Sequence, residues 1–296
     1  MKLVVTGASG FLGRELLRQA LETGISVTAL SSRPDRLREM FGQAEKLSSL
    51  GREALAEGLV SFEEDDVLIN CAFPRTNDDS QMAGGLAYVE EVLRCAVKCG
   101  AKALINISSQ SVYDQKRCYA ATEDSPLLLQ SNYAVGKYAS ELFMKLLEKD
   151  AHVTNVRMAS LIGPGFDQRL TNKMAKSAIQ DRKISYQIND LVFGFLDVED
   201  AARAILRLAA VPAARWKTVY NLGSDASYSL REIACTIAEI LEAEHGMPVA
   251  LASSVSEGSG GTMLCSERLK EEIGPYQQLS LRESLRRIVD RALQPR

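Results

Sequence analysis

The sequence lacks several features that mark special classes of protein. It has no apolar run that approaches the roughly 18 residues of a membrane-spanning helix. It has no run of basic residues either, and its 35 Lys and Arg face 38 Asp and Glu. These absences argue against a membrane protein and against binding to nucleic acid. Because Met1 leads directly into an apolar strand pattern, we also expect no signal peptide and a cytoplasmic location.

Residues that bind metal ions are scarce. His152 and His245 are the only histidines, and none of the six cysteines forms a Cys-x-x-Cys pair. Cys95 and Cys99 lie four residues apart, but no second pair completes a tetrahedral site. We therefore predict no metal site, and we expect the cysteines to be free thiols in a reducing cytosol.

What the sequence does contain begins at the N terminus. An apolar run at residues 3–5 predicts a buried strand, and an amphipathic helix begins at Arg14. Between them, Gly7 permits a sharp turn, Gly10 leaves room for a pyrophosphate and Gly13 lets the helix pack closely on the strand. The helix start offers free N–H groups and a positive dipole end to phosphate, whereas the alternative is a turn that binds no ligand. We predict a dinucleotide site formed by Thr6, Gly7, Ser9, Gly10, Phe11, Leu12 and Gly13.

The end of the second predicted strand, residues 25–30, indicates which dinucleotide binds. Dinucleotide folds usually place an acidic residue there, on the hydroxyls of the adenosine ribose. Here Ser31 takes that position and Arg33 follows, so no carboxylate repels a 2′-phosphate and a guanidinium is available for it. We predict NADP, with NAD as the alternative, in which case Arg33 is a solvated charge of the loop. Cys71 and Ala72, small residues after a later strand, would let the cofactor pass close to the backbone.

The rest of the chain alternates apolar strand patterns with amphipathic helices. We predict strands at 66–72, 103–107, 153–157 and 219–223, and helices at 81–99, 133–149, 172–180 and 281–292. Less regular patterns predict a short strand at 44–47, a short helix at 52–60 and a mobile Ser/Gly-rich loop at 253–262. A Gly-Pro-Gly sequence at 163–165 interrupts the alternation and indicates a crossing into a second lobe.

Three polar residues suggest the chemistry. Tyr133 and Lys137 are four residues apart, so they share one face of a predicted helix. A free phenol has a pKa of about 10, which a neighbouring ammonium group lowers, so Tyr133 is our candidate acid and base. Ser109, at the carboxyl end of a predicted strand, would hold the substrate oxygen by a hydrogen bond. This set predicts hydride transfer with a proton moved through Tyr133, although a Tyr-x-x-x-Lys pair and a Ser-Ser pair are each common by chance.

These segments together resemble the extended short-chain dehydrogenase/reductase family, in its NAD-dependent epimerase/dehydratase group. The resemblance rests on residues 6–13, 108–113, 133–137, Arg157 with 163–165, and 196–200. It implies an α/β fold, with a Rossmann-type doubly wound parallel sheet in residues 1–163 and 195–222. It also implies a smaller C-terminal substrate-binding lobe formed by residues 164–194 and 223–296.

The resemblance further implies roles for particular residues. The catalytic residues would be Ser109, Tyr133 and Lys137, with Tyr133 and Lys137 also contacting the cofactor. The residues that would contact the substrate are Ser109, Gln110, Ser111 and Asn172. The family also forms homodimers, which here would pair the helices at 81–99 and 133–149.

Departures from the family's pattern leave the small-molecule substrate open. Dehydratases carry an Asp-Glu pair where Gln110 and Ser111 stand, which argues against a 4,6-dehydratase. Phe193 stands where many nucleotide-sugar enzymes carry an arginine for the pyrophosphate. We expect an NAD(P)-dependent oxidoreductase or epimerase that acts on a carbonyl or alcohol carbon of a nucleotide sugar or related sugar. The alternatives are a reductase of a non-sugar carbonyl compound and a non-catalytic protein that senses the dinucleotide.

Overall fold

A computed structural model describes residues 1–42 and 44–294. The strands within those residues are β1 (Lys2–Thr6), β2 (Ser26–Ser31), β3 (Leu47–Gly51), β4 (Val67–Asn70), β5 (Ala103–Ser109), β6 (His152–Met158), β7 (Ser160–Ile162), β8 (Lys183–Val192), β9 (Phe195–Asp197), β10 (Val219–Leu222) and β11 (Ala250–Gly261). The helices are α1 (Phe11–Glu22), α2 (Pro34–Phe41), α3 (Asp79–Lys98), α4 (Asn132–Leu146), α5 (Leu170–Asp181), α6 (Val198–Ala210), α7 (Leu230–His245), α8 (Glu267–Ile273) and α9 (Leu281–Leu293).

Seven strands form one parallel sheet, in the order β10-β6-β5-β4-β1-β2-β3. From β1 the sheet extends through β2 to β3 on one side, and through β4, β5 and β6 to β10 on the other side, as in a doubly wound, Rossmann-like fold. In such a sheet, ligands bind outside the carboxyl ends of the strands where the order reverses. The reversal lies between β1 and β4, so their carboxyl ends are the expected place for a site.

Helices cover both faces of this sheet, which explains why its strands are apolar throughout. Successive residues of β1 enter two separate cores because their side chains point to opposite faces. Leu3 and Val5 join the core beneath α1 and α6, whereas Val4 joins the core beneath α3 and α4. The exposed fraction of each of these three side chains is 1% or less. The strand ends are therefore the parts of the sheet that can reach a ligand.

The turn after β1 depends on two glycines. Gly7 has a φ of +61°, and a Cβ at this position would lie 2.7 Å from the backbone N of Ala72, just after β4. A Cβ on Gly13, in the first turn of α1, would collide with the carbonyl oxygen of Gly7. The turn, the end of β4 and the start of α1 are thus in direct backbone contact.

A buried ion pair holds α4 against the sheet. Glu141 on α4 and Arg157 on β6 have side chains only 5% and 6% exposed, and Arg157 Nη2 lies 2.7 Å from Glu141 Oε2. Ser108 Oγ at the end of β5 donates to Glu141 Oε1 (2.5 Å), and Arg157 Nη1 donates to the phenol oxygen of Tyr113 (3.0 Å). Removing either charge would leave the other buried without its partner. The pair therefore fixes α4 over the carboxyl ends of β5 and β6.

A third core lies apart from the large sheet. It is built on α5, α7, α9 and β8, with Ile184, Ile237 and Val289 among its buried residues. Strands β8 and β11 form a parallel pair, and the short strands β7 and β9 form another. This region follows β6 in the chain and is joined to it by β7, so its first residues lie next to the carboxyl end of β6.

The segment at 253–262 corrects an expectation from the sequence. We expected a mobile loop because the segment is rich in Ser and Gly, but residues up to Gly261 belong to β11, which pairs with β8. Main-chain hydrogen bonds to β8 order this strand, and small side chains do not prevent them. Gly260 has a φ of +109°, and a Cβ there would lie 2.6 Å from the backbone of Lys116. Glycine at this position lets two backbone segments approach each other closely, and it does not make the strand flexible.

Two shorter expectations were also wrong. The strand expected at 44–47 is β3, which begins only at Leu47. Leu47 is the first residue that pairs with β2, opposite Val27. The segment at 52–60 forms turns instead of a helix. Gly58 has a φ of +71°, which is incompatible with a continuing right-handed helix.

Candidate active site

A cavity of about 510 Å³ lies at the carboxyl ends of the central strands. The predicted site residues that line it are Gly7, Gly10, Phe11, Leu12, Gly13, Cys71, Ser109, Gln110, Ser111, Tyr133 and Lys137. The glycine turn and the Tyr–Lys pair, which are far apart in the sequence, therefore share one cavity. A larger cavity of about 970 Å³ lies at the opposite ends of the strands and contains none of the predicted residues.

Helix α4 positions Tyr133 and Lys137. Ser131 caps the helix by accepting a hydrogen bond (3.1 Å) from a backbone N–H of the first turn. Phe73 lies against both residues: its ring centroid is 5.7 Å from that of Tyr133 and 4.1 Å from Lys137 Nζ. Lys137 Nζ donates to the carbonyl oxygen of Ile107 at 2.6 Å. The ammonium group is thus directed at β5 and not at the phenol.

The electrostatics of this pair differ from the expectation. Burial raises the pKa of Tyr133, and a hydrogen bond with Ser109 and the charges of Arg169 and Arg75 offset part of that rise. Burial also lowers the pKa of Lys137 to about 7. We expected Lys137 to lower the pKa of Tyr133, and that role stays a prediction: Lys137 Nζ lies 5.9 Å from the centroid of the Tyr133 ring. The charges of the two arginines lower the pKa of the phenol in the structure.

The residues after β5 present hydroxyl groups to the cavity. Ser109 Oγ accepts a hydrogen bond from the N–H of Ser111 (3.2 Å), which opens a short 3₁₀ helix. Ser111 Oγ is buried, and it has no hydrogen-bond partner among the described residues. The Gln110 side chain, in contrast, contacts those of Gln115 (3.2 Å) and Arg117 (3.3 Å). Ser111 therefore retains a hydrogen bond for a ligand, whereas Gln110 is already engaged.

Five of the predicted cofactor residues lie outside the lining of this cavity. Thr6 Oγ1 donates to an asparagine of β4 (2.6 Å) and accepts from the N–H of Ala72 (3.3 Å), so it joins β1 to the end of β4. Ser31 Oγ donates to Ser9 Oγ (2.9 Å) and accepts from the N–H of Arg33 (3.0 Å). These hydroxyls hold the two loops together, and Arg33 is exposed beside them.

Asn172 also lies away from Tyr133. It lines a separate cavity of about 560 Å³ together with Arg14, Arg36 and Lys176. Its Nδ2 donates to a backbone carbonyl of the Gly-Pro-Gly segment at 3.1 Å. The structure therefore does not bring Asn172 into the cavity that Tyr133 lines.

Three residues that the sequence analysis missed line the Tyr133 cavity. The guanidinium carbons of Arg75 and Arg169 lie 5.2 Å and 5.0 Å from the ring centroid of Phe166. Phe166 in turn packs on Phe11, with ring centroids 4.4 Å apart. The available signal was the Gly-Pro-Gly sequence at 163–165, which we used only as a boundary although Phe166 follows it directly and Arg169 lies three residues further on.

The structure provides a cradle that suits a dinucleotide. Helix α1 begins after Gly10 without a side-chain cap, so its first N–H groups are available to a phosphate. The backbone contacts around Gly7 leave no room for a Cβ, which keeps this surface flat enough for a pyrophosphate to approach. Burial raises the pKa of the Cys71 thiol to about 12, so this residue offers a neutral wall and not a thiolate.

Residues 1–42 and 44–294 contain no group of three His, Cys, Asp or Glu side chains that could hold a metal ion. None of the helices in this part of the chain combines the length and the apolar character needed to cross a membrane.

The lowered pKa of Lys137 predicts a pH-dependent contribution to stability. Between about pH 7 and pH 10.5 the unfolded chain keeps a proton on this lysine that the folded protein has released, so stability from this group rises with pH. Relative to Lys137→Met, the wild type should gain up to about 1.4 kcal/mol of unfolding free energy per pH unit in that range. Urea unfolding from about pH 6 to about pH 9 measures the difference. The exposed Lys98→Met is the control, and a difference that is constant with pH would contradict the prediction.

The chain is similar to proteins whose names refer to polysaccharide biosynthesis or to nucleotide sugars. It is 26% identical over 287 residues to the spore coat polysaccharide biosynthesis protein SpsK of Bacillus subtilis, and the match covers 92% of each chain. It is 26% identical over 260 residues to a UDP-glucose 4-epimerase of Mycolicibacterium smegmatis, covering 80% of this chain and 82% of that protein. The structure of MoeE5 in complex with UDP-glucuronic acid and NAD matches with a TM-score of 0.81 at 21% identity, covering 98% of both chains, which shows a shared fold.

A family model extends over most of the chain and includes the glycine turn, β5 and α4. The model is that of the NAD dependent epimerase/dehydratase family, and it matches residues 3–223. The resemblance inferred from the sequence is thereby confirmed, as is the Rossmann-like fold class. The members of this family are enzymes, and this chain belongs to the NAD dependent epimerase/dehydratase family.

Proposed function

We propose that this protein is an oxidoreductase or epimerase of the extended short-chain type that acts on a carbonyl or alcohol carbon of a nucleotide sugar. The observation that carries the proposal is that Ser109, Tyr133 and Lys137 line one cavity with the glycine turn. The UDP-glucose 4-epimerase among the relatives supports a nucleotide sugar as the substrate. We assign the catalytic roles to these three residues.

The cofactor would lie along the glycine turn. Gly7, Gly10 and Gly13 leave backbone room for its pyrophosphate, and the first N–H groups of α1 would bind the negative charge. Lys137, at the floor of the same cavity, would donate hydrogen bonds to the nicotinamide ribose. When bound, a nicotinamide cofactor supplies the hydride chemistry at the substrate carbon.

The side chains of this protein would handle the proton and the substrate oxygen. Tyr133 would act as the acid and base at that oxygen. The charges of Arg169 and Arg75 and the hydrogen bond with Ser109 favour the ionised phenol, against the opposing effect of burial. Ser109 and Ser111 would hold the substrate oxygen, because the hydroxyl of Ser111 is buried with an unused hydrogen bond.

Replacing the tyrosine tests the mechanism. Tyr133→Phe should bind the cofactor like the wild type but lose about 10²- to 10⁴-fold in turnover, because it has no proton to transfer. Turnover is measured with UDP-glucose, UDP-glucuronic acid and UDP-N-acetylglucosamine, following epimer formation by NMR and cofactor oxidation or reduction by absorbance. Tyr138→Phe, on the same helix but outside the cavity lining, is the matched control. Full turnover by Tyr133→Phe would refute the assigned role.

We propose NADP as the preferred cofactor, with Arg33 as the ligand of its 2′-phosphate. The proposal is supported by the absence of a carboxylate at Ser31 and by the exposure of Arg33 beside it. Arg33→Ala should weaken binding of NADPH by about ten-fold and leave NADH nearly unchanged, because a charged hydrogen bond is lost only with the phosphate. Fluorescence titration measures both affinities, with the exposed Arg94→Ala on α3 as the control. Preference for NADH in the wild type would rule out this cofactor assignment.

We further propose that the protein is a homodimer formed through α3 and α4. Helix α4 leaves apolar side chains exposed on the side away from the sheet: Val135 is 49%, Leu142 46% and Leu146 61% exposed. A second copy would cover these side chains and remove them from water. Light scattering should give twice the mass of one chain, and Leu142→Lys should give one chain. Leu59→Lys, at a leucine elsewhere that is more exposed than Leu142, should leave the dimer intact, and a monomeric wild type would exclude the assembly.

The proposed place of action is the cytoplasm. All six cysteines are free thiols in the structure, which suits a reducing compartment. Recovery of the native protein from another cell fraction would exclude a cytoplasmic location.

A further inference from the structure

One side of the Tyr133 cavity carries two guanidinium groups. Arg75 and Arg169 both line the cavity, and both lie within 5.2 Å of the ring centroid of Phe166. Phe166 packs on Phe11, the first residue of α1, so the arginines are anchored beside the glycine turn. Arg169 also immediately precedes α5, whose first turn has no acidic residue and no side-chain cap. The positive end of that helix adds to the charge of the arginines.

No negative group in the cavity balances these charges. Among the described residues that line it there is no aspartate and no glutamate. Arg169 Nε is buried and has no hydrogen-bond partner within that part of the chain. Asp167, close in sequence, lines the neighbouring cavity with Arg14 and Arg36. The positive charge therefore faces the space in which a substrate would bind.

Other buried arginines of this protein show what a satisfied guanidinium looks like. Arg157 pairs with Glu141 through two nitrogens, at 3.0 Å and 2.7 Å. Arg117 donates to the backbone carbonyls of Asp114 (2.7 Å) and Met263 (2.8 Å). Within the described residues the Nε of Arg169 has no acceptor, and burial together with the charge of Arg75 lowers the pKa of Arg169 to about 10. Arg169 is half-buried, whereas Arg75 beside it is exposed. A half-buried guanidinium next to a second cation is unfavourable until an anion binds beside it.

The anion would bind in the same cavity as the proposed acid and base. Arg75, Arg169 and Tyr133 all line this cavity, and the charges of both arginines lower the pKa of Tyr133. A group held by Arg169 would therefore share the cavity with the substrate oxygen that Tyr133 would contact. A planar guanidinium binds a carboxylate through two parallel hydrogen bonds, which gives geometric selection as well as affinity.

We propose that Arg169, assisted by Arg75, binds a carboxylate on the sugar of the substrate, so that this enzyme prefers a nucleotide-activated sugar acid over a neutral nucleotide sugar. The inference rests on the proposed function, because it deepens the choice of substrate at the same site. The same arginines would also attract the diphosphate that every nucleotide sugar carries, and the experiment below separates the two sources of negative charge. Arg169 belongs to residues 164–194, the segment to which we assign part of the substrate choice.

The test uses two ligands that differ at one group. UDP-glucuronic acid carries a carboxylate where UDP-glucose carries a hydroxymethyl group, and both carry the same diphosphate. Calorimetric titration into the full chain, saturated with NAD or with NADP, should show about ten-fold tighter binding of the acid. Arg169→Gln should abolish this preference while changing the affinity for UDP-glucose less than about two-fold. Arg169→Lys should keep part of it, because the charge remains.

Control variants distinguish a loss of the binding preference from misfolding and from a loss of turnover. Arg94→Gln, at an exposed arginine of α3, should behave as the wild type, and thermal unfolding checks that each variant is folded. Tyr133→Phe should keep the preference, since binding needs no turnover. If the wild type binds the acid more tightly but turns over no nucleotide sugar, the proposed function is refuted and the proposed carboxylate site is not. Equal loss of both ligands in Arg169→Gln would assign the arginine to the diphosphate and overturn the proposal. Equal affinities in the wild type, or no binding of either ligand, would overturn it as well.

Discussion

The buried ion pair of Glu141 and Arg157 determines where the chemistry of this protein can take place. Tyr133, Lys137 and Glu141 follow each other at intervals of four residues, so they form one stripe along α4. When Glu141 is fixed to Arg157 of β6, the whole stripe is fixed over the sheet, because a shift of α4 would leave a charge buried without its partner. Ser108 donates to the same carboxylate, and both Ser108 and the next residue along β5, Ser109, line the cavity. The ion pair of Glu141 and Arg157, which does not line the cavity, therefore helps to set the distance between the phenol of Tyr133 and the serine hydroxyls at the end of β5.

Burial lowers the pKa of two cations that line this cavity, but it leaves them with different charges at neutral pH. It lowers the pKa of Lys137 to about 7, so this lysine is only partly charged at neutral pH. The same effect on Arg169 leaves its pKa at about 10, because a guanidinium starts from a much higher value. At neutral pH the positive potential inside the cavity therefore comes from the arginines. The lysine is better suited to donating a hydrogen bond than to acting as a fixed charge, which agrees with its contact to the carbonyl of Ile107.

Local sequence patterns were sufficient for most strands of the large sheet, apart from the bounds of β3, but not for the whole site. The glycines at 7 and 13 could be recognised because each needs a backbone geometry or a close contact that other residues cannot adopt. The segment at 253–262 was misjudged because composition describes intrinsic flexibility, whereas pairing with β8 supplies order from a distant part of the chain. The spacing of Tyr133 and Lys137 showed that they share a helix face, but it could not show that Nζ points at β5. The assigned roles of these residues stay predictions.

Arg75 and Arg169 could not be found from the sequence for a related reason. Arg75 directly follows Pro74, and Arg169 lies four residues after Gly165, so both stand in irregular segments where no periodicity indicates which way a side chain points. They meet only because Phe166 packs on Phe11 and provides a common surface for both guanidinium groups. The part of the cavity built by β5 and α4 is held by buried contacts within the sheet, whereas the part built by Phe166 and Arg169 belongs to the connection between β7 and α5. If Arg169 binds the substrate as proposed, substitutions in that connection would change which substrate is accepted while the phenol, the lysine and the glycine turn keep their positions, which is how one fold can serve several reactions.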